Sequence, residues 1–151
     1  MSIKRILVVE DDKIKIEKLQ SFFSSLDVTV KESYHNGLKT LVDSQGSFDL
    51  LILDMTIPLW EKGGNDLSGS FEQFGGERIL REMRRRKLHT PTVLVTMFDI
   101  FALEIGNLTF AELDNRFREQ FSDFYLGAVF YNASDDSWKI DLRSLIWGSD
   151  D

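Results

Sequence analysis

Ile3-Lys4-Arg5-Ile6-Leu7-Val8-Val9 runs into Glu10-Asp11-Asp12, and Phe48-Asp49-Leu50-Leu51-Ile52-Leu53 runs into Asp54. Runs this short, rich in Val, Ile and Leu and apolar through their cores, have the composition of strands buried on both faces of a parallel sheet. In open α/β sheets the ligand site lies just beyond the carboxyl ends of the strands. If the two strands are neighbours, Glu10, Asp11 and Asp54 converge there. Three carboxylates held together repel unless a hard cation or a shared proton relieves them. The paired acids therefore predict a Mg2+ or Ca2+ site.

Outward from these strands the pattern alternates. Ile14, Ile16, Leu19, Phe22, Phe23 and Leu26 recur at near-helical spacing with charges between them, which predicts a helix over 13–26. Val28 to Glu32 alternates like a strand, and Asn36 to Val42 suits a short helix broken by Gly46. After Asp54 regularity stops: 56–74 carries Pro58, Gly63, Gly64, Asn65 and Gly69, with Trp60, Phe71 and Phe74 expected to fold this long loop onto the domain. A helical pattern resumes at Gly75-Gly76 and ends near Leu88-His89-Thr90-Pro91, followed by a strand over 92–96. Phe98 to Leu108 is apolar but interrupted by Gly106, and Thr109-Phe110-Ala111-Glu112 fits a capping box opening a helix to about Phe121. Tyr125 to Asn132 reads as the fifth strand and Ser137 to Trp147 as the closing helix. Parallel strands need crossover connections, so five strands alternating with helices predict a doubly wound α/β sheet. Right-handed crossovers favour the flavodoxin-like order 2-1-3-4-5, which sets strands 1 and 3 side by side.

At 151 residues the chain predicts a single domain over 1–148, with 149–151 an acidic end that frays. Hydrophobic residues at 42% and charged residues at 28% are those of a globular protein. With no cysteine there is no disulfide scaffold, thiolate zinc site or cysteine nucleophile. No apolar stretch approaches the roughly 20 residues of a membrane span, and no signal-peptide pattern precedes the first strand, which points to the cytoplasm. A net charge of −7 disfavours nucleic acid as a partner. The basic run Arg81, Arg84, Arg85, Arg86 and Lys87 suits a solvated helix end facing the helix dipole.

Ile6-Leu7-Val8-Val9-Glu10-Asp11-Asp12, Leu51-Ile52-Leu53-Asp54-Met55-Thr56-Ile57-Pro58, Val93-Leu94-Val95-Thr96 and Gly127-Ala128-Val129-Phe130-Tyr131 together resemble the receiver domain of two-component response regulators. The resemblance covers nearly the whole chain and is most specific in the first two segments. It implies that Glu10 and Asp11 are metal acids and that Asp54 is a phosphoacceptor which also touches Mg2+. It further implies that the Thr56 backbone carbonyl completes the ion's shell and that the Thr96 hydroxyl bonds the phosphoryl group and reports it. A histidine kinase or a downstream effector is the implied partner.

The departures are as specific as the matches. The family's lysine after strand 5, usually followed by proline, is replaced by Ser134 and Asp135, which removes a cation from a site receiving about two negative charges. Lys139 is the nearest alternative in sequence. The loop after Asp54 is expanded, and the strand 4 to strand 5 connection is remodelled. A pseudo-receiver working as a phosphorylation-independent interaction module, in a bacterial conflict or signalling system, is the alternative reading. A Mg2+-dependent phosphohydrolase of the haloacid-dehalogenase type is disfavoured because Thr56 stands where those enzymes have a second aspartate. Glu10, Asp11 and Asp12 could also simply open the first helix, a role expected of Asp12. His35 and His89 lie in separate segments and are assigned no role. With the chain ending soon after the last helix, output is expected through association. The face of strand 4, strand 5 and the last helix, with Phe98, Phe101, Tyr131, Trp138 and Trp147, is the expected partner or homodimer surface.

Overall fold

The structure, a computed structural model, describes residues 2–61, 71–72, 75–97, 100–103 and 106–148. Five parallel strands, β1 (Arg5–Val9), β2 (Asp27–Lys31), β3 (Leu50–Leu53), β4 (Thr92–Thr96) and β5 (Tyr125–Phe130), form one sheet in the order β2-β1-β3-β4-β5. Helices α1 (Lys13–Phe22), α2 (Tyr34–Ser44), α3 (Gly75–Arg86), α4 (Phe110–Gln120) and α5 (Ser137–Trp147) make the crossovers. This is the expected flavodoxin-like arrangement.

Residue parity along the strands sorts the core into two layers, because successive side chains leave a strand on opposite faces. Leu7, Val9, Leu51, Leu53 and Leu94 pack with Leu41 of α2, Ile79, Leu80 and Met83 of α3, and Leu113 and Phe117 of α4. Ile6, Val8, Leu50, Ile52, Val93 and Val95 pack with Leu19 of α1 and Phe23 just after it, and with Trp138, Leu142 and Ile146 of α5. Burial on both faces explains why β1 and β3 lack polar alternation. The register Val9↔Leu53 ends the two strands level, and the Asp54 N–H donates to the Val9 carbonyl at 3.2 Å. At the opposite ends, the Asp49 carboxylate accepts from the Lys4 and Arg5 N–H groups at 2.9 and 3.0 Å and holds the register.

Several boundaries differ from expectation. α1 stops at Phe22, since Phe23 leaves helical geometry at φ −102°, ψ 31°. α2 starts earlier, because the Ser33 hydroxyl accepts from the Asn36 N–H at 3.1 Å and caps it. The apolar stretch before Thr109 forms an antiparallel hairpin, Ile100–Leu103 with Gly106–Thr109, and the capping box of Thr109 and Glu112 then opens α4 as expected. In the loop after β3, Ile57–Pro58 pairs antiparallel with Phe71–Glu72. Its first part is tied to the start of α2: the Glu61 carboxylate accepts from the Glu32 N–H and the Asn36 amide, both at 3.0 Å. Trp60 stays half-exposed against His35, with ring centroids 4.3 Å apart. The plug expected of Phe71 and Phe74 concerns side chains outside the described residues.

Gly127 accommodates an irregularity in the sheet. The β4–β5 register shifts between Thr92 and Val93, Gly127 takes φ +154°, and a Cβ there would lie 2.5 Å from the Arg118 guanidinium. Within the basic run, Arg81 pairs with Glu77 at 2.9 Å, Arg85 and Arg86 pair with Glu82, and Arg84 lies over the Phe121 ring. Among the described residues no helix is long and apolar enough to cross a membrane.

Candidate functional site

The carboxyl ends of β1 and β3 bring Glu10 and Asp54 together as the sequence implies, and both are buried. Between them is a residue the sequence reading passed over. Lys15, in the first turn of α1, is wholly buried, with its ammonium 2.5 Å from Glu10 Oε1 and 3.4 Å from Asp54 Oδ2. The same nitrogen donates to the Val95 carbonyl at 2.5 Å.

Local geometry makes this reach possible. Asp12 caps α1, its Oδ1 accepting from the Ile14 and Lys15 N–H groups at 3.0 and 3.2 Å, which fulfils the helix-opening role expected of it. The helix then presents Lys15 on the stripe shared by Leu19, one turn on, and Phe23. Ile14 is left 63% exposed while Lys15 is at 0%. Helical spacing counted backward from Leu19 could have found Lys15; counting apolar residues alone could not.

The carboxylates are held by main-chain donors. Glu10 Oε2 accepts from the Asp11 and Asp12 N–H groups, both at 3.1 Å, while Oε1 meets Lys15 as an ion contact without hydrogen-bond alignment. Asp54 Oδ1 accepts from the Met55 N–H at 2.7 Å. Burial pushes the Glu10 carboxyl up to about 7, against the pull of Lys15 and with a further push from Asp54. Burial alone would depress Lys15, but Asp54 and Glu10 together outweigh it and its pKa is raised. The two partners shift the same way for different reasons: Lys15 is held charged by two carboxylates, while burial favours the neutral form of Glu10.

Behind Asp54 the main chain of α3 approaches closely. The Gly76 N–H donates to the Met55 carbonyl at 2.9 Å, and a Cβ on Gly76 would lie 2.4 Å from the Asp54 carbonyl oxygen. Gly75-Gly76 is thus the tight helix entry that lets α3 abut the Asp54 turn. Thr96, fully buried, ends β4, and its carbonyl accepts from the Tyr131 N–H at 2.8 Å.

The remaining candidates separate. Asp11 is only partly buried, and among the described residues no three acidic or imidazole side chains are gathered to hold a metal ion. Of the expected set, Glu10 and Asp54 are brought together with the Lys15 ammonium against both. As arranged, these donors do not fit a divalent ion. Ser134 is exposed and folded onto its own loop, its N–H and hydroxyl both donating to Asn132 Oδ1 at 2.9 and 2.8 Å. Lys139 pairs with Asp136 at 3.5 Å and lies over Trp138. His35 packs against Trp60 and His89 against Phe124.

The expected partner face is corrected in part. Tyr131 and Trp138 are core residues, buried because they pack on Val129, Val95 and Ile146, and only Trp147 of that set is exposed among the described side chains. Phe98 and the Phe101 side chain lie outside the described residues. A cleft of about 660 Å³ lined by Phe48, His89 and Pro91 sits at the opposite end of the sheet from the acids.

No family model matches the chain. Over 146 residues it is 26% identical to the Detocs response regulatory protein DtcB of Enterobacter cloacae (strain JD6301), covering 93% of this chain and 97% of that protein. Over 145 residues it is 28% identical to the uncharacterized protein y4jR of Sinorhizobium fredii, covering 93% and 95%. A CheY-like response regulator receiver domain protein from Methanospirillum hungatei JF-1 superimposes with a TM-score of 0.58 at 20% identity, covering 96% of this chain and 91% of that one. The response regulator TrrA of Thermotoga maritima, solved in complex with Mg2+ and BeF, gives 0.56 at 20% identity, covering 95% and 100%. With the strand order, the buried acids at the ends of β1 and β3 and a relative named as a response regulatory protein, the chain has the fold of response regulator receiver domains.

Proposed function

We propose that this chain is a receiver-like signalling domain in which Asp54 accepts a phosphoryl group and association with a protein partner carries the output. The observation that supports it is Asp54 itself: a buried carboxylate at the carboxyl end of a central strand, with one oxygen held by the Met55 N–H and the other facing the Lys15 ammonium. A carboxylate in that setting is oriented for attack and has a cation beside the place where the charged phosphoryl oxygens would arrive. Asp54 Oδ2 forms a bond to phosphorus while the donor's bond to phosphorus breaks, N–P in a kinase phosphohistidine or the bridging O–P in an acyl phosphate, and the leaving imidazole or carboxylate keeps that electron pair. Thr96, at the end of the neighbouring strand β4, is the hydroxyl offered to the transferred group, and a histidine kinase or a small acyl phosphate is the donor class. The chemistry is a single transfer to the protein, not turnover of a substrate, and its setting is the cytoplasm.

The structural neighbour with bound Mg2+ and BeF suggests the same cation for this fold. Because the carboxylates here are already met by Lys15, no step is assigned to a metal. The exposed, self-bonded loop at Ser134 favours the second reading, an interaction module that works without phosphorylation.

Incubation of the purified chain with acetyl phosphate, followed by intact-mass measurement, tests the proposal. One added phosphoryl group is expected in the wild type and none in Asp54→Ala. Absence of any adduct at millimolar donor, with partner binding unchanged in Asp54→Asn, favours the interaction module instead.

A further inference from the structure

Lysine is almost never fully buried unless it is paired, since its ammonium is strongly hydrated and its stem is long enough to reach water. Lys15 is wholly buried although it lies in the first helical turn, where one rotation of the helix would exchange it with exposed Ile14. Placing an isoleucine in water and a lysine in the core contradicts the amphipathic pattern of the rest of α1. Such local contradictions concentrate at functional sites, where another requirement dominates.

We propose that Lys15 is the phosphoryl-binding cation of this site, supplied from α1 in place of a lysine after β5. The inference rests on the reading of Asp54 as phosphoacceptor and assigns the group that makes it workable. Phosphorylation replaces the single charge of the Asp54 carboxylate by about two charges on the phosphoryl oxygens, beside Glu10. A nearby ammonium is the group that offsets that gain, and Lys15 lies 3.4 Å from the oxygen that forms the new bond. At the position after β5 the neutral Ser134 offers no charge and bonds Asn132, and Lys139, the nearest cation in sequence, pairs with Asp136. Tyr131 walls the ammonium in, its ring 5.6 Å away, and its buried hydroxyl has no hydrogen-bond partner among the described residues. A fully formed apolar core would not leave a polar atom so placed; a pocket that receives a further oxygen-rich group would.

In the resting arrangement Lys15 divides its charge between Glu10 and Asp54. When the phosphoryl group arrives, the ammonium turns from Glu10 toward its oxygens, a shift of charge between two groups it already touches. No proton leaves Lys15.

The test compares beryllofluoride binding, followed by tryptophan fluorescence, and acetyl phosphate labelling, followed by mass, in one Mg2+-containing buffer. The proteins are the wild type, Lys15→Met, the charge-balanced Glu10→Gln/Lys15→Met and Lys15→Met/Ser134→Lys. Circular dichroism reports folding, and the charge-balanced variant keeps the test valid if Lys15→Met alone unfolds. The inference expects at least a tenfold loss of beryllofluoride affinity and of labelling rate in the folded variants without Lys15, with partial recovery when Ser134→Lys returns a cation from the β5 side. Asp54-dependent labelling that stays at the wild-type rate in Glu10→Gln/Lys15→Met overturns the role of Lys15 while leaving Asp54 as acceptor. A wild type that neither binds beryllofluoride nor labels at Asp54 overturns both.

Discussion

The start of α1 and the loop after β5 border the same acidic end of the sheet, yet they treat their polar residues in opposite ways. At α1 the cap on Asp12 turns Lys15 inward, into contact with Glu10, Asp54 and the Val95 carbonyl. After β5 the side chains turn on themselves: Ser134 bonds Asn132, and Asp135 accepts from the Ser137 N–H and hydroxyl at 3.0 and 2.7 Å to hold the start of α5. The first segment spends a helix position on charge; the second spends its polar groups on local turn geometry. A cation required at one point in space can thus be delivered from a different element, and a residue-by-residue match along the chain reports it as lost.

The sharpest way to break this comparison is Lys15→Met. Removing one member of a buried ion cluster leaves Glu10 and Asp54 as unrelieved buried acids, and a loss of about 3–5 kcal/mol in urea unfolding is expected. Most of it should return in Glu10→Gln/Lys15→Met. A loss as small as that of a surface substitution would show that Lys15 is not held as described.

A pH series sharpens the same point. The Glu10 carboxyl is raised in the fold from its ordinary 4.5 to about 7, so between those values the folded state binds more protons than the unfolded chain. Stability contributed by this group is therefore present below about 4.5 and lost as pH rises to about 7, by about 3 kcal/mol at most. Glu10→Gln should flatten that part of the unfolding profile; an unchanged slope would assign it to another group. Next in size is Gly76→Ala, whose Cβ would collide with the Asp54 carbonyl. Overpacking of this kind costs about 1–3 kcal/mol, and labelling at Asp54 should slow with it because the turn that carries the acid must shift. The smallest effects belong to the loop after β5 and the first turn of α5: Ser134→Ala and Lys139→Met should each change stability by no more than about 0.5 kcal/mol. Lys139→Met should also leave labelling at the wild-type rate, and a marked loss would return Lys139 to the site.

The fold was legible wherever burial on both faces left a continuous apolar run, as in Leu50 to Leu53 and Thr92 to Thr96, and wherever capping chemistry was explicit, as at Thr109 and Glu112. The hairpin 100–109 was not, since a short apolar stretch with one glycine carries no period that separates helix from strand. At the site, Glu10 and Asp54 could be read because acids at strand ends are visible one strand at a time. Lys15 could not be read in that way, as its role depends on helix phase and on what β4 and β5 place opposite it. Tyr131 and Trp138 were misplaced on the surface for a related reason: aromatic residues suit both interfaces and cores, and only the packing of α5 on β5 decides between them.

The contact between the Lys15 ammonium and the Val95 carbonyl has one more consequence. A group that draws the ammonium toward Asp54 draws it from that carbonyl as well, so a covalent change on β3 is felt as a change of load on the main chain of β4. The load falls one residue before buried Thr96 and two before Met97, which reaches the surface. Such a linkage runs through a peptide oxygen rather than a side chain, and it would survive any substitution at position 95 that preserves the strand.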